Sequence, residues 1–302
     1  MRLVYYSLAN FDHDSREQQW IQSIRSLRIY NPSIPVWLFL FNNASGELLR
    51  EAERQNVCVK LLGDYREFLE RAQPGGSVLA LYPTFHKFLA LENLPLQSLT
   101  QLLYLDCDTF FFDDVSLLFD LHQTNHLYAR EEPTSLPAQS DYDRQHVDVS
   151  QLKQIARSEN LCYVAPFNSG VCLLNHDIWH SLIGLRDEYL GLAWRLLCGR
   201  ELSGRAYRLH DPRIRNAVLD MLTASDHAQA LPYPSEKNDW IIEQIALWLA
   251  LGRLPQISFG RLSAEQVLQG HEVEILPRRG CVLAHYFSIG ERDFFSCVPA
   301  IA

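Results

Sequence analysis

Asp106 and Asp108 stand two residues apart, directly after the apolar run LLYL at 102–105. On extended backbone, residues two apart project to the same side, so both carboxylates would face one spot. If LLYL is an inner strand, that spot lies at its carboxyl end, where open α/β sheets bind ligands. Two like charges there repel and are costly to desolvate. A divalent cation relieves both problems. Mg²⁺ or Mn²⁺ is typically held by one or two carboxylates, with substrate phosphates completing the shell. The pair therefore points to a metal-bound diphosphate. The competing reading is a turn in which Asp108 merely caps the chain.

Other residues have chemistry of the same kind. His285 follows CVLA at the end of another apolar run. An imidazole there is either a third ligand for an Mn²⁺-type site or a core histidine with satisfied nitrogens. Lys87 lies between Phe85 and Phe88, three residues apart in PTFHKFLAL. It either snorkels from the edge of the core or reaches a phosphate. Asn168, Ser169 and Gly170 lead into the run VCLLN. They offer hydrogen bonds of the sort sugars use and a position where a ligand or backbone can come close, or they form a plain turn. Glu243 and Gln244 interrupt the apolar stretch WIIEQIALWLALG. They lie on a solvated face, or they aim into a cleft.

The elements that must position these groups read as a strand–helix alternation. A strand is expected at 3–9, a helix at 15–30 with Trp20, Ile24 and Leu27 on one face, and a strand at 34–41. A helix at 45–55 and a strand at 57–62 follow. That opening argues for an open parallel sheet of the doubly wound kind. Further on come a helix near 84–93, the strand before Asp106, and a helix over VSLLFDL capped by Asp113 and Asp114. A polar excursion is expected at 131–160, a strand at 163–175 and mostly helix over 176–225. A loop at 225–238, a helix at 239–251, with Trp240, Ala246, Leu247 and Leu251 as its buried face, and a last strand at 281–288 complete the chain. No repeat or linker interrupts it, so a single domain over 1–302 is expected.

Composition excludes several classes. The chain has 302 residues, 47% of them hydrophobic, with 14 Gly and 14 Pro, which is ordinary for a globular protein. Its net charge of −9 disfavours nucleic-acid binding and a strong electrostatic membrane anchor. The 7 cysteines include no C-x-x-C pair, and several lie in apolar runs, so they read as buried thiols in a reducing compartment. The opening MRLVYYSLANFDHD turns polar too early for a signal peptide, and no stretch is long and apolar enough for a membrane span. A cytoplasmic location is the expectation, with peripheral association with a membrane as the alternative. P-loop, dinucleotide-binding G-x-G-x-x-G and hydrolase G-x-S-x-G motifs are absent from the sequence.

Taken in order, these segments resemble a GT-A glycosyltransferase, and are most similar to the family 8 retaining enzymes. VYYSLAN with IRSLRIYNPSIPVWLF resembles the nucleotide-binding first strand, helix and second strand. LLYLDCDTFFFDDVSLLF resembles the metal-motif strand, PFNSGVCLLN the F-N-[SA]-G-V strand, and HYFSIGERDF the C-terminal His–Gly–basic element. Glu243-Gln244 resembles the family's Asp-Gln pair, and Lys87 its basic residue ahead of the metal motif. The resemblance implies an α/β fold with a mostly parallel central sheet and helices on both faces. It implies a nucleotide-sugar half at about 1–125 and an acceptor-side half at about 126–302.

By the same resemblance, Asp106, Asp108 and His285 would hold Mn²⁺ or Mg²⁺. Ser7, Asn10, Lys87, Asp106, Asn168, Ser169, Gly290 and Arg292 would contact a nucleotide-sugar donor, UDP-glucose or UDP-galactose. Glu243, Gln244 and Lys87 would carry the catalytic roles, with a carbohydrate, glycolipid or glycoprotein as hydroxyl acceptor. Leu8 and Ala9 stand where the family has acidic residues, Glu243 where it has Asp, and no lysine matches its C-terminal one. These departures motivate a second reading, a non-catalytic sugar-nucleotide or glycan-binding protein on the same fold. A nucleotidyltransferase is disfavoured, because SLANFDHD after the first strand is acidic and lacks glycine.

Overall fold

β-Branched and aromatic residues dominate the first run, and it forms strand β1 (Arg2–Ala9), buried from Leu3 onward. The computed structural model describes residues 1–9, 14–64, 67, 87, 90, 101–121, 125–131, 149–175, 177–182, 242–272 and 280–286. After β1 come helix α1 (Asp14–Tyr30), β2 (Val36–Phe41), α2 (Gly46–Arg54) and β3 (Cys58–Gly63). Next are β4 (Gln101–Leu105), β5 (Thr109–Phe111), the single turn α3 (Ser116–Phe119) and β6 (His126–Glu131). Then follow α4 (Val149–Ser158), β7 (Phe167–Asn175), α5 (Ile242–Gly252), β8 (Ser258–Arg261), β9 (Val267–Gln269) and β10 (Leu283–His285).

Seven strands form one sheet in the order β3-β2-β1-β4-β7-β6-β8. β1, β2, β3 and β4 are mutually parallel, β8 is parallel to β6, and β7 runs antiparallel to both β4 and β6. The sheet is α/β and mostly parallel. Its two faces are covered by different helices, as strand alternation requires. Val4, Tyr6 and Leu8 pack with Trp20, Ile24 and Leu27 of α1, and Tyr6 meets Trp20 edge-on with ring centroids 6.2 Å apart. On the opposite face, Tyr5, Cys172 and Leu174 converge with Trp179 and with Leu247 of α5.

A second sheet, β5-β10-β9, folds beside the ends of β4 and β7. Its pairing places His285 opposite Thr109. A buried hydroxyl chain ties the start of β5 to α1: Tyr6 Oη to Ser23 Oγ at 2.9 Å, Ser23 Oγ to Thr109 Oγ1 at 2.8 Å. Thr109 Oγ1 in turn donates to the Asp106 carbonyl at 3.0 Å.

Several expectations need correction. The polar stretch 131–160 is not wholly irregular, because α4 occupies Val149–Ser158, a segment rich in helix-favouring Gln, Lys, Ala and Arg beyond the prolines. The strand expected at 163–175 starts only at Phe167. VSLLFDL forms one short turn without a side-chain bond at its N-cap, Val115; Asp114 Oδ1 instead accepts the Ser116 N–H at 2.8 Å. Cys58 and Cys162 are exposed rather than buried, Cys58 because it lies on the sheet's edge strand. The helix near 84–93 lies mostly outside the described residues. So do Trp240, the loop at 225–238 and most of 176–225, of which 177–182 is helical.

Candidate active site

Asp106 directly follows β4, and its N–H donates to the Gly170 carbonyl of neighbouring β7 at 2.7 Å. Residues 107–108 then turn before β5 begins. The two carboxylates therefore converge through a turn and not through strand alternation. The Tyr286 N–H donates to the Asp108 carbonyl at 2.9 Å, which locks β10 beside that turn. As a result His285 Nε2 lies 3.5 Å from Asp106 Oδ2 and 3.3 Å from Asp108 Oδ1. One ligand atom from each of the three residues lies within 4.8 Å of the others.

Three observations show that these residues fit a small divalent cation. Two carboxylates and an imidazole form a donor set suited to Mn²⁺-type ions. Asp108 Oδ1 is buried and accepts no hydrogen bond among the described residues. Gly170 also leaves the space open: a Cβ there would sit 2.1 Å from His285 Cε1 and 2.6 Å from Asp106 Oδ2. The electrostatics show the negative charge a cation would meet, and its binding would displace the His285 proton. Burial works against charge on His285, but Asp108 and Asp106 outweigh it and raise the imidazolium to about 9. Burial likewise opposes ionisation of Asp106, yet Lys87 and His285 hold its carboxyl well below the usual range.

Next to this cluster lies a second one with opposite charges already matched. Lys87 Nζ lies 2.8 Å from Glu243 Oε1 and donates to Ser169 Oγ at 2.7 Å. Ser169 Oγ donates to the same Glu243 oxygen at 3.1 Å, and the Ser169 N–H donates to Gln244 Oε1 at 2.9 Å. Lys87, Ser169, Glu243 and Gln244 are all buried. Burial lowers the Lys87 pKa, but Glu243 and Asp106 more than compensate, so the ammonium is kept. Asn168 turns its own Oδ1 onto the Gly170 N–H at 2.8 Å, stiffening the start of β7.

A cleft of about 210 Å³ joins the two clusters. Ser7, Lys87, Asp106, Asp108, Asn168, Ser169, Gly170, Glu243, Gln244 and His285 all line it. Glu243 and Gln244 face this cleft and not solvent, because the described part of α5 is buried all round. Asn10, Gly290 and Arg292 lie outside the described residues. The sequence reading missed Arg16, Gln19 and Tyr104, which also line the cleft. Tyr104 had a usable signal: it stands two residues before Asp106 in β4, on the same face. Its phenol donates to Asp106 Oδ1, and burial and the Asp106 charge push its pKa far above the ordinary phenol range. Arg16 and Gln19 sit three apart near the start of α1, a spacing that shares one helix face.

A model of the family described as Glycosyl transferase family 8 matches residues 42–187. That range contains β4, the aspartate turn and β7. The apo structure of the bifunctional glycosyltransferase WbbM is similar in fold, with a TM-score of 0.52 at 12% identity over 97% of this chain. This chain covers 49% of that one. The galactosyltransferase LgtC, solved with donor and acceptor sugar analogs, aligns at a TM-score of 0.48 and 12% identity, covering 100% of this chain and 98% of that one. GlyE of Streptococcus pneumoniae TIGR4 aligns at 0.49 and 14%, covering 98% of this chain and 59% of that one. No curated protein sequence matches the chain. The sheet and its likeness to WbbM show the GT-A fold. The match to the family 8 model spans just under half of the chain and includes the strand that leads into Asp106 and the strand that holds Gly170.

Proposed function

We propose that the protein transfers a hexose from UDP-glucose or UDP-galactose to a hydroxyl of a glycan, glycolipid or glycoprotein, with retention at the anomeric carbon. The reading rests on one observation above all: Asp106, Asp108 and His285 converge around the bare Gly170 in the same cleft as Lys87 and Glu243. Asp106, Asp108 and His285 would hold Mn²⁺ or Mg²⁺, which supplies Lewis-acid stabilisation of a diphosphate leaving group.

The chain's own groups do the rest. Ser7 and Asn168 border the donor, and in this reading Asn10, Gly290 and Arg292 complete its nucleotide side. As the sugar–phosphate bond breaks, negative charge grows on the diphosphate and the anomeric carbon becomes oxocarbenium-like. The Lys87 ammonium, held in place by Ser169 and Glu243, lies within the cleft to offset that charge. Glu243 Oε2 is buried and has no hydrogen-bond partner among the described residues, which suits it to accept from a sugar hydroxyl. Gln244 orients Ser169 through the backbone bond and so positions this group. The acceptor hydroxyl attacks the anomeric carbon, and its proton passes to the departing diphosphate; no protein nucleophile is required. Donor contacts are assigned mainly to 1–125 and acceptor contacts to 126–302, with the single site drawing side chains from both.

Among the described residues no helix is long and apolar enough to cross a membrane. The described cysteines are free thiols, which supports a reducing compartment such as the cytoplasm.

Thermal unfolding with UDP, GDP, CDP or dTDP, each with Mn²⁺ or with EDTA, tests the reading. A ligand at 100 times its dissociation constant adds about 2.7 kcal/mol, enough to resolve. The expected result is stabilisation by UDP that requires Mn²⁺. Absence of any nucleotide effect counts against the enzyme. A second reading, a non-catalytic binding protein, draws support from Leu8, an apolar residue bordering the cleft where the resemblance would place an acidic one. Mn²⁺-dependent hydrolysis of UDP-glucose or UDP-galactose separates the two, because a binder leaves the donor intact.

A further inference from the structure

We propose that Tyr104 decides which cation the cluster accepts, by occupying one oxygen of Asp106. This rests on the reading of Asp106, Asp108 and His285 as a cation site and extends it to ion selectivity.

The Tyr104 hydroxyl donates to Asp106 Oδ1. The other oxygen, Oδ2, faces His285 Nε2 at 3.5 Å and the open space over Gly170. Tyr104 has little freedom to leave this position. Its side chain is buried, its ring packs against Tyr5 with centroids 5.1 Å apart, and Lys87 Nζ lies 5.5 Å from its ring centre. The carboxylate is thus held by a rigid phenol on one side and presents a single oxygen on the other. With Asp108 Oδ1 and His285 Nε2, the protein offers three donor atoms, one of them nitrogen.

That donor set discriminates between ions. Mn²⁺ accepts imidazole nitrogen and is satisfied by few protein ligands, with phosphate and water filling the remaining positions. Ca²⁺ prefers six to eight oxygens and often takes a carboxylate through both. An Asp106 limited to one oxygen denies Ca²⁺ that second contact. The same hydrogen bond keeps Oδ2 turned toward His285, which favours the ion that uses both groups.

Tyr104→Phe tests this, because it keeps the ring and its contacts with Tyr5 and Lys87 and removes only the hydroxyl. Mn²⁺ and Ca²⁺ affinities are measured on the full-length protein by calorimetry, with Mn²⁺ also followed by electron paramagnetic resonance. The expected result is a fall of about tenfold in the preference for Mn²⁺ over Ca²⁺, the size of a lost hydrogen bond to a charged group. Tyr104→Leu, which also lacks the hydroxyl, shifts the preference in the same direction. General loosening of the site weakens both ions together and leaves their ratio unchanged, so an unchanged ratio in both variants overturns the proposal. If the wild-type protein binds neither ion, the cation site itself is wrong and the inference falls with it. That failure is distinguished by appearing before any substitution.

Discussion

Ser169 and Gly170 are neighbours on β7, yet the groups gathered around them follow opposite rules. Around Gly170, two carboxylates and an imidazole converge, and Asp108 Oδ1 is buried without a hydrogen bond among the described residues. Around Ser169, Lys87 and Glu243 are matched at 2.8 Å, and the serine bridges them. The first cluster holds an excess of negative charge that an added cation would relieve. The second has its charges matched within the protein and is harmed by removal of either one, although Glu243 Oε2 is still without a hydrogen-bond partner among the described residues. Buried charge is stable only when it is paired, and the pairing can come from the chain or from a ligand. One cleft uses both solutions side by side. That suits a site in which one part must capture a ligand and the other must keep its shape when the ligand leaves.

Substitutions can break this contrast. The largest effect is expected for Asp106→Ala combined with Asp108→Ala. Loss of the cation's charge stabilisation should reduce sugar transfer by about a thousandfold or more, while circular dichroism still reports a folded chain. Full Mn²⁺-dependent transfer by the double variant would show that the Gly170 cluster has no catalytic ion. Lys87→Met should act the other way, on the fold itself. It leaves Glu243 buried without its partner, and urea unfolding should register a loss of about 3–5 kcal/mol. Adding Glu243→Leu to it should recover much of that loss. If the single and double variants were equally unstable, Lys87 and Glu243 would not form a self-contained pair.

Gly170→Ala sharpens the contrast at its boundary. The new methyl group would meet His285 Cε1 at 2.1 Å, so the imidazole must shift. Overpacking of this kind costs about 1–3 kcal/mol, and Mn²⁺ affinity should drop while the Lys87–Glu243 contact persists. An Mn²⁺ titration indistinguishable from wild type would place the ion elsewhere.

The smallest effect concerns a paired charge far from the cleft. Glu51 accepts from Arg25 Nε at 2.8 Å and from Gln55 Nε2 at 2.8 Å. The Arg25 bond, working against burial, lowers the Glu51 pKa from 4.5 to about 2. A carboxyl depressed by folding contributes stability that is present above its unfolded value and lost as pH falls through the folded one. Stability should therefore decline as pH drops from about 4.5 toward 2, and Glu51→Gln should flatten that part of the profile. An unaltered acid limb in Glu51→Gln would mean that this pair, unlike Lys87–Glu243, contributes nothing.

Legibility in the sequence tracked how local each feature is. β1, α1, β2, α2 and β3 lie within two residues of their expected positions, because apolar runs and helical spacing encode them locally. β5, β6, β8 and β9 had no expectation; β5, β8 and β9 are only three or four residues long, and all four gain their identity from partner strands. Within the cleft, Asp106 and Asp108 were readable from their place after LLYL. For Glu243 both a solvated and a cleft-facing reading stood open, since nothing in an apolar helix says which neighbour covers a glutamate. Tyr104 looked like another strand aromatic, and its bond to Asp106 emerged only from the coordinates.

By itself, then, the sequence determined the alternating strands and helices, the sheet's mostly parallel character and the acidic pair at a strand end. These follow from side-chain periodicity and from the cost of burying like charges, both of which operate over a few residues. Tertiary structure decided the rest. His285 meets the aspartates because β10 pairs antiparallel to β5 with His285 opposite Thr109. Gly170 lies under them because Leu105 is in register with Val171, and Glu243 is neutralised because α5 packs against β7 near Lys87. Register between distant segments is set by backbone hydrogen bonds and packing across the sheet, and no spacing along the chain specifies it.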